Sequence, residues 1–536
     1  MITAKEIQDE EKEKVWQHGD LIELMKCKTC SSLMEKDGKY YCKQKEEEVE
    51  LTDHCSLWDE EINEDKVREI ETKIRQKERK EERRILLQQF LELTTTENKN
   101  WSEATELLVN YIKERYYIYT TKNDQKTEMW IYKKGIYVPE GKSKVKSILR
   151  IILKRWYTLF VYGRVMAKLE PDTFIDEEKF FNQNDINEIP LRNGILNIQT
   201  KELTSFTPKK VFFNKLNAKY DPTAECPKID KFLRDVLTEE EDIKIMYEII
   251  GYCLLKENRF EKAFMFLGEG RNGKDKTIEL IKRLLGIDSC ASVTLSRLER
   301  DGFALSECFG KMVNLASEIS NQDLKDTSRF KAMTGRSVVA GQRKFLTTIN
   351  FVNYAKFIFA CNELPMVYEH TRAFWDRWLL LDFPYFFVPE EELDQENWKL
   401  KLKDETIIER ITTPVELNGL LNKALDGLDR LLKNKRFSST KGSKEIKELW
   451  IRKANSFMAF CLDKLKESYN NYIPKRDIRK SYNKYCKQHK VKGTSDKNIK
   501  ATLQDLFGVS EERKNIPLTL EQEWCWIGIT FKEVNK

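Results

Sequence analysis

The chain has 536 residues, 40% of them hydrophobic and 34% charged, so it can bury several cores beneath a heavily solvated surface. At about 100 to 200 residues per domain this length excludes a single small domain, and the net charge of +6 is too small to identify a partner. Basic residues interrupt the most apolar stretch, 147–169, which argues against a membrane span. The acidic N-terminal segment lacks an apolar core, so we expect a cytoplasmic protein.

Four of the twelve cysteines form an N-terminal module, 1–58, as Cys27-x2-Cys30 followed by Cys42 and Cys55. A short x2 turn lets two thiolates bind one side of a tetrahedral ion, and the later pair can close the other side. The spacing predicts a structural Zn2+ site, in which His54 could replace one ligand. An iron–sulfur cluster, disulfides and uncoordinated thiols are the alternatives. The other eight cysteines are scattered and are predicted to be inert.

A charged helical linker and an α+β accessory domain are predicted next. Residues 59–95 mix acids and bases almost without Gly or Pro, which favours a long exposed helix over a coiled coil. The accessory domain, 96–222, shows no evident catalytic cluster. Its predicted elements are a helix at 104–117, a strand pair at 128–138, a helix at 149–169 and a strand-and-turn unit at 189–198.

Strands alternate with helices between residues 223 and 390, which predicts an α/β core whose sheet has helices on both faces. The predicted strands lie at 263–267, 312–316, 356–360 and 378–383. A helical connector is expected at 391–455, and helices followed by a terminal hairpin predict a winged helix at 456–536. Residues 430–514 carry 23 Lys and Arg against 9 acids, with aromatic residues interspersed, which favours a phosphate-facing surface over a merely soluble basic domain.

A glycine-rich loop joins the first of these strands to an amphipathic segment. Glycines let such a loop turn its N–H groups toward phosphate oxygens, the next helix adds its positive end, and Lys274 can reach the terminal phosphates. Asp275 stands where the motif has Ser or Thr, so we expect its carboxylate to bind Mg2+; a binding-only loop and an ordinary glycine turn are the alternatives. The predicted ATP-binding residues are Gly268, Gly270, Asn272, Gly273, Lys274, Asp275 and Lys276.

The glycine-rich loop is one of a series of short motifs along the chain. In sequence order these are Asn193-Gly194, Tyr220-Asp-Pro222, Gly251-Tyr-Cys253, Gly268 to Lys274, Glu318, Thr334-Gly335, Asn362-Glu-Leu-Pro365 and Ala373-Phe-Trp-Asp-Arg377. This series resembles the superfamily 3 helicases of the AAA+ class, particularly the phage, plasmid and poxvirus primase-helicases. The resemblance is clearest over 193–387 and weaker from 101 to the C-terminus. It leaves the Cys module and the linker outside. The implied fold is an AAA+ P-loop core of three layers.

The resemblance also implies catalytic roles. Glu318 would polarise the attacking water, Asn362 would hold that water, and Arg377 would reach the γ-phosphate of a neighbouring subunit, with Arg372 as runner-up. Ser317 precedes Glu318 where the family often has an acid. The alternatives are an exposed strand-end Glu, a turn Asn, and an Arg paired with Asp376 or Asp382.

A DNA-binding hairpin is implied between the acid and the sensor. It would point Lys344 into the channel of a ring, supported by Arg343 and Phe345, so that cation and ring hold a phosphate and a base. A charged surface hairpin is the alternative.

Together these features predict an ATP-driven, ring-forming replicative DNA helicase of a virus, plasmid or integrated element. The family implies a homo-hexamer that moves 3′ to 5′ on single-stranded DNA, while the winged helix would load duplex or origin DNA. Residues 1–190 lack the clustered acids and His of a primase, so a separate primase or polymerase is an expected partner. A nucleotide-dependent DNA-binding initiator or scaffold, without processive unwinding, and an AAA+ protein remodeller are the alternatives.

Overall fold

The computed structural model divides its described residues into two compact units. Those up to 181, with Thr207–Phe213, form the first unit, and Asp185–Phe206 with those from Asn214 onward form the second. Side chains are described from residue 76. The described ranges are 33–36, 39–42, 47–48, 64–121, 127–181, 185–317, 326–343, 348–365, 367, 371–394, 396–439, 441–454, 456–489, 493–516 and 522–532.

The first unit opens with a small antiparallel sheet, β1 (Leu33–Lys36), β2 (Lys39–Cys42) and β3 (Glu47–Glu48). Cys42 ends β2, but its side chain is not described. Cys27, Cys30, His54 and Cys55 lie outside the described residues. The predicted metal site therefore stays a prediction.

The charged segment forms a helix, α1 (Glu64–Thr95), as predicted, and its C-terminal end also packs into the accessory domain. Near its C-terminal end, Leu86 and Phe90 are 7% and 3% exposed and pack into the accessory core with α2 (Trp101–Arg115). The end of α1 is thus part of the accessory domain, because burial of these two apolar side chains stabilises both helices.

Strands and helices alternate in the accessory domain, and one sequence-based prediction is wrong. The expected helix at 149–169 is two helices separated by a 3-10 turn, because Lys154 takes a left-handed φ of +50° and the Thr158 hydroxyl accepts from Val161 N to start a new helix. The four-stranded sheet has the order β6-β5-β4-β7. The elements are β4 (Ile118–Thr121), β5 (Glu128–Lys133), β6 (Ile136–Val138), α3 (Gly141–Leu153), α4 (Leu159–Asp172), β7 (Phe174–Ile175) and α5 (Glu177–Phe181).

The second unit is built on a five-stranded parallel sheet of order β12-β13-β16-β11-β17, which bears out the predicted α/β class. Side chains alternate along β11: Phe264 and Phe266 join one hydrophobic core, and Met265 joins another on the opposite face. The sheet is therefore covered on both faces. The strands are β11 (Ala263–Leu267), β12 (Cys290–Ala291), β13 (Val313–Ala316), β16 (Lys356–Cys361) and β17 (Trp378–Asp382).

Helices cover this sheet, and smaller sheets surround it. A three-stranded antiparallel sheet precedes it, and two antiparallel strands, β14 and β15, lie between β13 and β16 in sequence. The elements before β14 are β8 (Glu188–Leu191), β9 (Gly194–Asn197), β10 (Leu203–Thr204), α6 (Pro227–Val236), α7 (Glu240–Leu254), α8 (Lys274–Leu285), α9 (Leu295–Arg300) and α10 (Ala304–Glu307). Those that follow are α11 (Ser328–Thr334), β14 (Val338–Gly341), β15 (Ile349–Val352) and α12 (Arg372–Trp375).

The connector is not helical throughout, which corrects the prediction for 391–455. Two strands, β18 (Phe386–Val388) and β19 (Leu400–Leu402), pair in parallel before the helices begin. The chain after β18 therefore loops back and then runs alongside β18 in the same direction. The helices that follow are α13 (Ile407–Ile411), α14 (Pro414–Asn434) and α15 (Ser443–Ala454).

The C-terminal module has a hydrophobic core of its own, centred on Phe460, Tyr482 and Leu503. Its three strands form an antiparallel sheet of order β20-β22-β21, and β20 was not predicted. The elements are α16 (Ser456–Lys464), β20 (Leu465–Pro474), α17 (Lys475–His489), α18 (Asp496–Phe507), β21 (Ser510–Asn515) and β22 (Gln522–Phe531).

The eight scattered cysteines fall within the described residues, and all are free. Seven are buried, and Cys290 is half-buried. Burial raises the pKa of the Cys226, Cys253 and Cys308 thiols to about 12, which keeps them protonated and supports the prediction that they are inert. Across the described part of the chain, no helix is both long and apolar enough to cross a bilayer.

Candidate nucleotide-binding site

The glycine-rich loop lies at the carboxyl end of β11, in the middle of the parallel sheet. Gly270 and Gly273 have φ values of +101° and +88°, which glycine adopts without strain, and Arg271 between them is also left-handed at +46°. Gly273 is the N-cap of α8, whose first residue is Lys274. The loop therefore turns the chain back over the sheet edge and points the positive end of α8 toward it.

Two glycines have no space for a side chain. A Cβ on Gly268 would lie 1.7 Å from Asn272 Nδ2 and 2.6 Å from the Phe383 carbonyl oxygen. A Cβ on Gly273 would lie 2.5 Å from Val236 Cγ1. The path of the loop thus depends on close backbone packing as well as on positive φ.

Lys274 is the centre of the site. Its ammonium donates to Gly268 O at 2.6 Å, to Asn272 Oδ1 at 2.9 Å and to Asn362 Oδ1 at 3.2 Å. The residue is 5% exposed, and burial lowers the pKa of its ammonium, while the charge of Asp275 opposes that shift. The loop and the end of β16 thus hold one cation at the sheet edge, where it can meet an anion.

Asn272 ties the loop to the neighbouring strand. Its amide Nδ2 donates to the Phe383 carbonyl at 3.1 Å, and Phe383 N donates to Leu267 O at 2.7 Å. In addition, Phe387 N donates a hydrogen bond to Arg271 O at 2.7 Å. The sequence analysis did not predict these contacts with the chain after β17, because the groups involved there are backbone N–H and C=O groups, which nearly every residue type provides.

The predicted sensor lies next to the loop, as expected. Asn362 directly follows β16, which pairs with β11, and this pairing brings its amide to Lys274 across 88 residues of sequence. The predicted acid, Glu318, lies outside the described residues. The strand before it, β13, is the other neighbour of β16, and Ala316 pairs with Phe359, so β13 ends at the same edge of the sheet.

Asp275 and Lys276 occupy the first turn of α8, and both are exposed. Thr277, one position further, is buried and its hydroxyl donates to Gly273 O at 3.0 Å, so this oxygen is engaged within the helix. Among the described residues, no group of three or more His, Cys, Asp or Glu side chains could hold a metal ion. An exposed carboxylate beside the loop nevertheless fits Mg2+, which needs one or two protein carboxylates besides phosphate oxygens.

The two candidate arginine fingers differ in their surroundings. The Arg377 side chain is 14% exposed and donates from Nε to Thr334 Oγ1 at 3.0 Å, from Nη2 to Glu261 at 2.9 Å and from Nη1 to Ala373 O. Arg372 is 85% exposed and lies 3.2 Å from Asp376. Arg377 therefore makes contacts typical of a structural residue, with Glu261 as its carboxylate partner, and Arg372 is the accessible one.

The predicted hairpin has the expected strands. β14 and β15 pair antiparallel, with Val338 opposite Val352 and Gly341 opposite Ile349. Arg343 follows β14 and is half-buried, whereas Lys344 and Phe345 lie outside the described residues. DNA contact by these three residues stays a prediction.

Two family comparisons match parts of the chain. Residues 29–238 match the family described as D5 N terminal like, and residues 266–377 match a family of unknown function (DUF5906). The second match spans the loop, Asn362 and both arginines. The first begins at residue 29, so it covers part of the cysteine module and all of the linker, which the sequence resemblance left outside.

Three viral relatives are named as helicases. Protein V13 of Sputnik virophage is 25% identical over 57% of this chain and 40% of its own length. Protein 121R of Invertebrate iridescent virus 3 is 24% identical over 45% of this chain and 28% of its own length. L207/L206 of Acanthamoeba polyphaga mimivirus is 23% identical over 38% of this chain and 22% of its own length. The chain thus spans 40% or less of the length of these relatives.

Among solved structures, the apo A form of the NrS-1 C-terminal region covers 79% of this chain and 98% of its own. The TM-score is 0.41 at 14% identity. The D5 N-terminal match and the helicase-named viral relatives support assignment to the phage and viral primase-helicase type.

Proposed function

We propose that this chain, which is of the phage and viral primase-helicase type, hydrolyses ATP at Gly268–Lys274 and uses the energy to unwind DNA. The observation that carries the proposal is the contact between Lys274 and Asn362. It brings a phosphate-binding cation and a water-orienting amide together at the carboxyl end of a parallel sheet, where open α/β sheets bind ligands.

The strand order favours an AAA+ core of superfamily 3. The loop strand β11 lies between the sensor strand β16 and β17, and the strand that leads to Glu318 lies on the far side of β16. A triphosphate on the loop would then have Lys274 at its terminal phosphates, Asn362 beside the attacking water, and Glu318 as the group that polarises that water.

Two further groups complete the proposed mechanism. Mg2+ bound by Asp275 and the phosphate oxygens would neutralise charge on the triphosphate. An arginine of an adjacent copy would stabilise charge on the γ-phosphate, and exposure favours Arg372 over Arg377 for this role. A finger supplied in trans requires an assembly, and a homo-hexameric ring is the form that the family implies.

The DNA-binding parts are proposed on separate grounds. The hairpin Arg343, Lys344 and Phe345 would hold single-stranded DNA in the ring channel. The order of helices and strands in the C-terminal module supports the proposal of a winged helix, which would contact duplex or origin DNA. Zn2+ in the module with Cys27, Cys30, Cys42 and Cys55, and priming by a separate primase or polymerase, complete the proposal for a viral, plasmid or integrated replication system.

Strand separation tests this function. The full chain, ATP and Mg2+ are mixed with a labelled duplex that carries either a 3′ or a 5′ single-stranded tail. We expect displacement of the duplex with the 3′ tail and not of the duplex with the 5′ tail. The Lys274→Ala variant should displace neither, and Lys282→Ala, at the far end of α8, should have normal activity. Displacement that persists in Lys274→Ala would contradict the role of the loop.

A second function is favoured by two residues, Asp275 and Ser317, which stand where a helicase site has a metal-binding hydroxyl and a second acid. A DNA-binding initiator or scaffold would assemble with ATP without turning it over. Nucleotide-dependent assembly on DNA with no hydrolysis by the unmodified chain would select this alternative.

A further inference from the structure

Positive charge in the C-terminal module is concentrated on α17. The following helix, α18, has two lysines and two aspartates, Lys497, Lys500, Asp496 and Asp505, and is therefore balanced. In α17 the only acid is Asp477. The basic residues of α17 are Lys475, Arg476, Arg479, Lys480, Lys484 and Lys487.

Four of these residues form one stripe. Arg476, Lys480, Lys484 and Lys487 are spaced four, four and three residues apart, which places them on one face of the helix. All four are exposed, whereas Tyr482 is buried in the module core on the other side of the helix. At 1.5 Å per residue, neighbouring charges are separated by roughly 4.5 to 6 Å along the axis.

An exposed aromatic ring stands at the N-terminal end of the stripe. Trp524 in β22 is 48% exposed, with Lys475 Nζ 5.5 Å and Arg513 Cζ 5.3 Å from its ring centroid. An ion pair of 2.8 Å between Arg476 and Glu523 fastens the start of α17 to the same strand. Lys475, which lies beside the ring, directly precedes Arg476, the first residue of the stripe, so the ring and the stripe meet at the start of α17.

We propose that the stripe Arg476, Lys480, Lys484 and Lys487, together with Trp524, binds single-stranded DNA. The cations would follow successive phosphates, and the indole would stack on an unpaired base, a combination that retains a single strand without reading its sequence. A duplex keeps its bases stacked on one another. The helix that would enter a major groove in a winged helix, α18, has no excess of positive charge. The inference rests on the proposed function for its choice of nucleic acid, and concerns a surface apart from the ATP site.

Equilibrium binding of the full chain to labelled oligo(dT), without nucleotide, tests the proposal. Lys484→Ala removes one charge from the stripe, and Lys497→Ala is the charge-matched control on α18. We expect the α17 variant to bind more weakly and to lower the slope of log affinity against log salt by about 0.7, as expected for one lost phosphate contact on a single strand. The α18 control should match the unmodified chain.

Trp524→Leu tests the stacking contact while keeping an apolar side chain on β22. We expect roughly 5- to 150-fold weaker binding, which is the range for losing one base–aromatic stack. Trp398→Leu is the control, because Trp398 is 64% exposed with Lys399 Nζ 5.6 Å from its ring, outside this module. Unchanged thermal melting verifies that the variants remain folded.

Three results would overturn the inference. These are equal affinities for the α17 and α18 variants, no effect of Trp524→Leu, or tighter binding to a duplex of the same length that Trp524→Leu does not alter. Failure of the proposed function is a separate result, because this binding is measured without ATP. A chain that binds oligo(dT) through this surface but hydrolyses no ATP would retain the inference and reject the helicase.

Discussion

At the residue scale, the two candidate arginine fingers differ in how they are held. Arg377 makes three hydrogen bonds within its own chain and is nearly buried, whereas Arg372 contacts one exposed carboxylate. A side chain that acts on the nucleotide of a neighbouring copy must be able to extend away from its own subunit. The geometry therefore predicts opposite outcomes for the two substitutions.

Arg377→Ala is expected to lower the free energy of unfolding by about 1 to 3 kcal/mol, because hydrogen bonds that involve a charged group are lost. Arg372→Ala should leave this free energy unchanged and abolish ATP turnover. Urea unfolding and phosphate release measure the two effects. A stable Arg377→Ala chain without turnover would instead support Arg377 as the finger, as the sequence resemblance implies.

Lys356 is a buried side chain whose contribution to the pH dependence of stability can be measured separately. It begins β16, is 1% exposed, and donates to the carbonyls of Leu255 and Tyr354. Burial lowers its pKa from 10.5 to about 7. A neutral amine still has two N–H groups for these two carbonyls, so the folded site tolerates loss of the proton.

The unfolded chain keeps this proton up to pH 10.5, so between about pH 7 and 10.5 the unfolded state binds more protons than the folded state. The free energy of unfolding, relative to that of Lys356→Met, should therefore rise with pH across this window and stay flat below it. Urea unfolding of both proteins over this range measures the difference. A difference that is constant or falls with pH would show that Lys356 stays charged when folded.

At the scale of elements, the loop is the most constrained segment. Gly268→Ala should lower the free energy of unfolding by about 1 to 3 kcal/mol, because its Cβ would overlap Asn272 and Phe383. It should also weaken ATP binding, since Asn272 positions Lys274. Gly163→Ala in α4 is the control, because nothing lies within 4 Å of its Cβ, and it should raise helix stability. Equal melting temperatures for the two variants would contradict the packing account.

The sequence predicted those elements whose signal is local. β11 was predicted at its observed bounds, because an apolar run followed by glycines marks a buried strand and its turn. The break at Lys154 was missed because it depends on one left-handed residue inside a helical pattern. The pairing of β18 with β19, and that of Arg377 with Glu261 across 116 residues, depends on tertiary packing that residue spacing does not encode.

At the scale of the whole molecule, the proposed function requires an ATP site, a trans-acting arginine and DNA-binding surfaces to work in one cycle. Two parts of the chain match different families, and the helicase-named relatives are longer than this chain. All of these parts depend on one prediction, that the loop around Lys274 hydrolyses ATP in response to DNA.

Phosphate release by the full chain with Mg2+ and ATP, measured with and without single-stranded DNA, is the decisive experiment for this prediction. We predict turnover that rises when DNA is added and disappears in Lys274→Ala, while Lys282→Ala behaves as the unmodified chain. Absence of turnover in the unmodified chain, or the same turnover in Lys274→Ala, would contradict it.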